Sequence, residues 1–115
     1  MKKLLISLSL STLFIFAHID LSSAQFVTGN TLHKWCNSER DKNLCQAYIL
    51  GILDSNDILN LWEGKCVFFE KMPNVIGQQF LDVIIKGIKD NPKDRDLSAA
   101  GLAFAYIKDE FPCPQ

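Results

Sequence analysis

The chain has 115 residues, 48% of them hydrophobic and 22% charged, with a formal net charge of -1 and a pI near 6.1. That length suits one domain, and the apolar content excludes a disordered chain. The charge balance provides no broad electropositive face for a phosphate backbone, which argues against nucleic-acid binding.

Lys2 and Lys3 precede an apolar stretch, Leu4 to Ala17, and Ser22-Ser23-Ala24 places small residues ahead of Gln25. This is the pattern of a secretory signal peptide over residues 1–24. The apolar run from Leu4 to Ile19 is 16 residues long, short of the roughly 20 that span a bilayer. Gln25, not a cysteine, follows the expected cleavage point, so no lipid anchor is expected there. The exported product, residues 25–115, is expected to be soluble, with no membrane attachment after cleavage. It has 91 residues, a net charge of -2 and all four cysteines.

Apolar residues recur at spacings of three and four along the mature chain, and strand-like alternation is scarce, so the pattern predicts an all-α fold. Thr28-Gly29-Asn30-Thr31 supplies cap-forming residues for a short first helix that carries Leu32, Trp35 and Cys36 and ends near Asn37-Ser38. A second helix starts near Asp41 and places Leu44, Cys45, Tyr48, Ile49, Ile52 and Leu53 at core spacing until Asn56, Asp57 and Asn60 weaken the pattern. Gly51 lies inside it, and an interior glycine suggests a neighbour packed against the backbone. Residues 60–74, with Gly64 and Pro73, read as a long ordered connection. A third helix is expected over Val75 to Lys89, burying Ile76, Phe80, Val83, Ile84 and Ile88 and stopped by Asn91-Pro92. A fourth runs from about Asp94 to Glu110, capped by Asp94 or Asp96, buries Leu97 among others and ends at Pro112. The expected architecture is a small disulfide-stapled bundle of about four helices.

The cysteines are separated by 8, 20 and 46 residues, without the C-x-x-C pair that zinc or redox exchange uses. In an oxidising compartment they are disulfides. The helix order favours Cys36 with Cys45, across a short hairpin, and Cys66 with Cys113, if the third and fourth helices run antiparallel.

Catalytic chemistry finds little support. His33 is the one histidine of residues 25–115, which leaves any His-based acid–base scheme resting on a single residue. With the cysteines paired no thiolate nucleophile remains. Asp54 and Asp57 lack the glycine and terminal glutamate of a calcium loop. Lys86, Lys89, Lys93 and Arg95 alternate with Asp90, Asp94 and Asp96, which makes a neutralised polar corner with no phosphate cradle. No metal, cofactor or enzymatic activity is expected. Trp62, Phe68 and Phe69 in the connection either plug the open side of the bundle or anchor a protein partner.

The ordered set Phe26-x-x-Gly29-Asn30-x-Leu32-x-x-x-Cys36, Cys45-x-x-Tyr48-x-x-Gly51-x-x-Asp54, Cys66, Gln79 to Lys86, Pro92, Ala100 and Phe111-Pro112-Cys113 resembles the Rap/Tai family of immunity proteins. The chain departs from that pattern after Cys66, where Val67 stands in place of a proline. The resemblance implies a helical periplasmic protein that binds a peptidoglycan amidase delivered by a type VI secretion machine and blocks its active site. It also implies a homodimer. Two loops between rigid elements are candidate partner contacts: Asn60 to Pro73, with Trp62, Glu63, Lys65, Phe68 and Phe69, and the turn from Asp90 to Arg95, with Asp90, Asn91 and Lys93. A rival role is an acid-stress periplasmic chaperone, since full protonation of the 12 carboxylates of residues 25–115 together with His33 would turn the net charge of -2 to about +11. Another is an envelope binding module.

Overall fold

A computed structural model describes residues 26–70 and 74–115. The leader expected over residues 1–24, and the Lys71-Met72-Pro73 end of the long connection, lie outside the described residues. The order is α1 (Gly29–Cys36), α2 (Lys42–Glu63), α3 (Gly77–Asp90), a single 3-10 turn (Pro92–Asp94) and α4 (Ala99–Glu110). Among the described residues there is no strand beyond one isolated bridge, Thr28 with Ser98. The all-α expectation holds.

Each helix contributes one face to a common core. Leu32 comes from α1, Cys45, Ile49, Ile52 and Leu53 from α2, Phe80, Leu81, Ile84 and Ile88 from α3, and Ala99, Ala103 and Ile107 from α4. These positions repeat at three and four residues, the spacing that keeps side chains on one side of a helix. Full burial of each large one contributes roughly 1.5–3 kcal/mol before ordering costs. Phe80 meets Phe111 at 4.8 Å between ring centroids, and a Cβ on Gly87 would meet the Tyr106 ring. Residues rising along α3 therefore face residues falling along α4, and the two helices are antiparallel. Two disulfides close the ends, Cys36–Cys45 and Cys66–Cys113, in the expected pairing, and no free cysteine remains.

Five local expectations are corrected. The second helix does not fade at Asn56 but runs to Glu63, where Gly64 ends it in the left-handed conformation at φ 63°. Asn56 lies on the buried face and donates from Nδ2 to the Phe69 carbonyl at 3.2 Å. One turn later Asn60 donates to the same carbonyl at 3.4 Å and accepts from Val67 N–H at 2.8 Å. Residues that weaken the apolar pattern thus bind the returning chain, and Trp62 and Glu63 belong to the helix, not to the connection. Gly51, expected to meet a close neighbour, has nothing from another part of the described residues within 4 Å of where a Cβ would stand. The third helix begins at Gly77 instead of Val75, with Gln79 Oε1 accepting from Ile76 N–H at 2.9 Å. The fourth begins at Ala99 and is capped by Ser98, whose hydroxyl accepts from Gly101 N–H, not by Asp94 or Asp96. Leu44, Ile76 and Leu97, expected in the core, are exposed.

The fourth correction has a tertiary cause. Arg95 Nε and Nη2 donate to the Ile88 and Lys89 carbonyls at 2.7 and 2.8 Å, filling orphan acceptors at the end of α3. The backbone from Arg95 to Ala99 is meanwhile bonded to the segment that enters α1, which holds it away from helical geometry.

Candidate interaction surfaces

Among the described residues no group of His, Cys, Asp and Glu could hold a metal ion, and no helix is long and apolar enough to cross a membrane. All four cysteines are in disulfides. His33 packs beside Asn37, whose Nδ2 lies 3.2 Å from His33 Nδ1 and donates to the His33 carbonyl at 2.7 Å. Burial holds the imidazole pKa below its ordinary value, and the nearby Arg95 and Lys89 cations lower it further. Among the described residues the ring's hydrogen-bond neighbour is the Asn37 amide, where a general-base histidine is usually oriented by a carboxylate.

The corner between α3 and α4 is a rigidly mounted loop. Gly29 N–H donates to the Leu97 carbonyl at 3.0 Å, Asn30 N–H to the Arg95 carbonyl at 2.7 Å, and Ala99 N–H to the Val27 carbonyl at 2.8 Å. Gly29 lies so close that a Cβ would stand 2.8 Å from Leu102 Cδ1 and 2.9 Å from Arg95 Cα. At the other root of the loop Asn91 Nδ2 donates to the Gly87 carbonyl at 2.8 Å. Lys86 pairs with Asp90, an interaction that holds the Asp90 carboxyl below its usual pKa and raises that of Lys86. Tyr106 forms part of the floor beside Gly87 and Asn91, its phenol pushed up chiefly by burial. Asp90 and Lys93 are exposed on this mount and Asn91 is half-buried; Asp96 and Leu97 add exposed side chains that the sequence reading did not single out.

The other group of expected contacts divides. Trp62, Glu63 and Lys65 are exposed. Phe69 is buried in the core against Phe80 and Phe104, and Phe68 is half-buried with its ring 4.6 Å from that of Phe104. Of the two readings of these aromatics, the plug applies to Phe68 and Phe69. Trp62 instead continues an exposed apolar strip along α2 with Leu50, Ile58 and Leu61. Sequence reasoning missed those three because helical spacing assigns apolar residues to a core, and α2 is apolar on both sides.

A family model described as Rap1a immunity proteins matches residues 28–113, a span that includes all four helices and both disulfides. Neither a curated protein nor a solved structure matches the chain. On the extent of that match, the chain belongs to the family of Rap1a immunity proteins.

Proposed function

We propose that this chain is a periplasmic immunity protein that binds a peptidoglycan amidase delivered by type VI secretion and holds it inactive. The observation that carries the reading is the family match from residue 28 to residue 113; membership implies an effector protein as partner, and the amidase is the finer step proposed here. Two further features support it. Residues 1–24 have the pattern of an export leader, which would bring the domain to the compartment where cell-wall amidases act. The loop from Asp90 to Leu97 is fixed by bonds to α1 and α3, so little ordering entropy remains to be lost when a partner binds it.

The inhibitor works by occupancy. A preformed loop on a stapled scaffold enters or covers the amidase cleft, and Lys93, Asp96 and Leu97 supply charged and apolar contacts. The test is contact killing between sister strains. A strain deleted for this gene is killed by its parent; the full chain supplied in trans restores survival, and a chain lacking residues 2–24 does not. Equal survival of the deletion strain and the parent contradicts the immunity reading. Rescue by the leaderless chain contradicts the periplasmic site of action.

A further inference from the structure

The end of α3 lacks a donor that its own chain would ordinarily supply. The last four carbonyls of a helix have no partner within it, and the main-chain N–H groups that follow often fill some of them. Asn91 does this for Gly87, whose carbonyl accepts from Asn91 N–H at 3.1 Å and from Asn91 Nδ2 at 2.8 Å. Residue 92 is proline, which has no N–H to offer the Ile88 carbonyl four residues back. Arg95 supplies the donor from its side chain. Its Nε donates to the Ile88 carbonyl at 2.7 Å and its Nη2 to the Lys89 carbonyl at 2.8 Å.

Both acceptors are main-chain oxygens, although Asp94 and Asp96 flank Arg95 in sequence. Two successive carbonyls at the negative end of a helix suit a planar cation whose donors stand in a fixed fork, whereas a lysine has one ammonium on a flexible stem. The main chain of the same residue is held from the other side. Its carbonyl accepts from Asn30 N–H, in the first turn of α1, at 2.7 Å, and a Cβ on Gly29 would stand 2.9 Å from Arg95 Cα. Arg95 therefore joins the end of α3 to the start of α1. Lys93 lies two residues before it and Asp96 and Leu97 directly after it; those three are exposed, and Arg95 is half-buried.

We infer that Arg95 is a positioning residue of the effector-binding loop: its fork on the end of α3 sets the placement of Lys93, Asp96 and Leu97, and it acts on the partner through them. This rests on the immunity reading and on the α3–α4 corner as its contact surface. A loop without the fork carries the same three side chains, but it has to be ordered when the effector binds, and that ordering weakens the complex.

The test compares full chains carrying R95K, which keeps the charge, R95Q, which removes it, and N56A, which weakens the core beside Phe69. Each is scored for survival in the sister-strain assay. Each is also purified, and hydrogen exchange is followed at the Asn30 amide, the donor to the Arg95 carbonyl, and at the core amides of α2. With R95K and R95Q the Asn30 amide is expected to exchange about tenfold faster while the α2 amides keep their protection, and survival is expected to fall about tenfold, the weight of one charge-assisted hydrogen bond. N56A is expected to speed exchange in α2 and to leave survival near that of the wild type. Unchanged exchange at Asn30 in both Arg95 variants, or faster exchange with full survival, overturns the positioning role. Wild-type survival with R95K and loss with R95Q makes the charge sufficient and overturns the fork. An equal loss of survival with N56A makes global stability the cause and overturns the inference as well. A wild-type gene that does not protect removes the immunity reading itself, and this inference with it.

Discussion

Asn56 shows how a residue that weakens a sequence pattern can strengthen a structure. Its side chain is fully buried and its amide donates to the Phe69 carbonyl, 13 residues further along. Replacing it with alanine leaves that carbonyl to Asn60 alone and opens space in the core. Asn56→Ala is expected to cost about 1–3 kcal/mol, read as a lower urea midpoint. Gly51→Ala is expected to act in the opposite direction, raising stability by roughly 0.5–1 kcal/mol, since the new methyl meets none of the other described residues and helix propensity improves. His33 carries the pH dependence expected near neutrality. Its pKa in the folded chain lies below the ordinary value near 6.5 because burial, then Arg95 and Lys89, disfavour the proton. The unfolded chain therefore takes up that proton first as pH falls. The stability that neutral His33 contributes is present above about 6.5 and is lost as pH drops toward the lowered folded value. Urea titrations on either side of that window should show the wild type weakening more on the acid side than His33→Gln; parallel behaviour would contradict the assignment.

At the scale of elements, the apolar spacing was enough to find four helices and, from their order, both disulfides. It was not enough to find their ends. The start of α4 is set by Arg95 bonding back to α3 and by the Val27–Asn30 segment bonding to residues 95–99, contacts between parts of the chain that local pattern does not connect. The end of α2 escaped for the same reason, since Asn60 finds its partners in Val67 and Phe69. The candidate contacts were legible in part. The charged α3–α4 corner follows from Asn91-Pro92 and its alternating charges, whereas the outer strip of α2 is invisible to a method that assigns every periodic apolar residue to the core. The two disulfides should differ in weight. They span sequence separations of 9 and 47 residues, for which the chain-entropy model gives about 2.6 and about 4 kcal/mol. Cys66→Ser with Cys113→Ser is therefore expected to lower the unfolding midpoint further than Cys36→Ser with Cys45→Ser. The longer bridge also joins the segment ahead of α3 to the residues after α4, so its loss frees both the plug around Phe69 and the chain terminus.

On the scale of the whole molecule, a domain of this size buries a modest core, and its net stability is a small difference between large terms. The staples compensate by restricting the unfolded chain, and the same rigidity serves recognition, because a loop already fixed in place loses little freedom on binding. The packing of α1 against the loop makes that testable. Gly29→Ala would place a Cβ within 3 Å of Leu102 and of the Arg95 backbone, and backbone cannot yield as a side-chain tip can. A cost of about 1–3 kcal/mol is expected, together with weaker protection of the host than stability alone explains, since the loop itself must move. The most direct measurement is digestion of purified peptidoglycan by the amidase proposed as the effector, titrated with the oxidised protein. The account predicts that release of peptide stops as the protein reaches the effector concentration, and that the protein alone releases nothing. Continued digestion in excess protein, or cleavage by the protein itself, would contradict it.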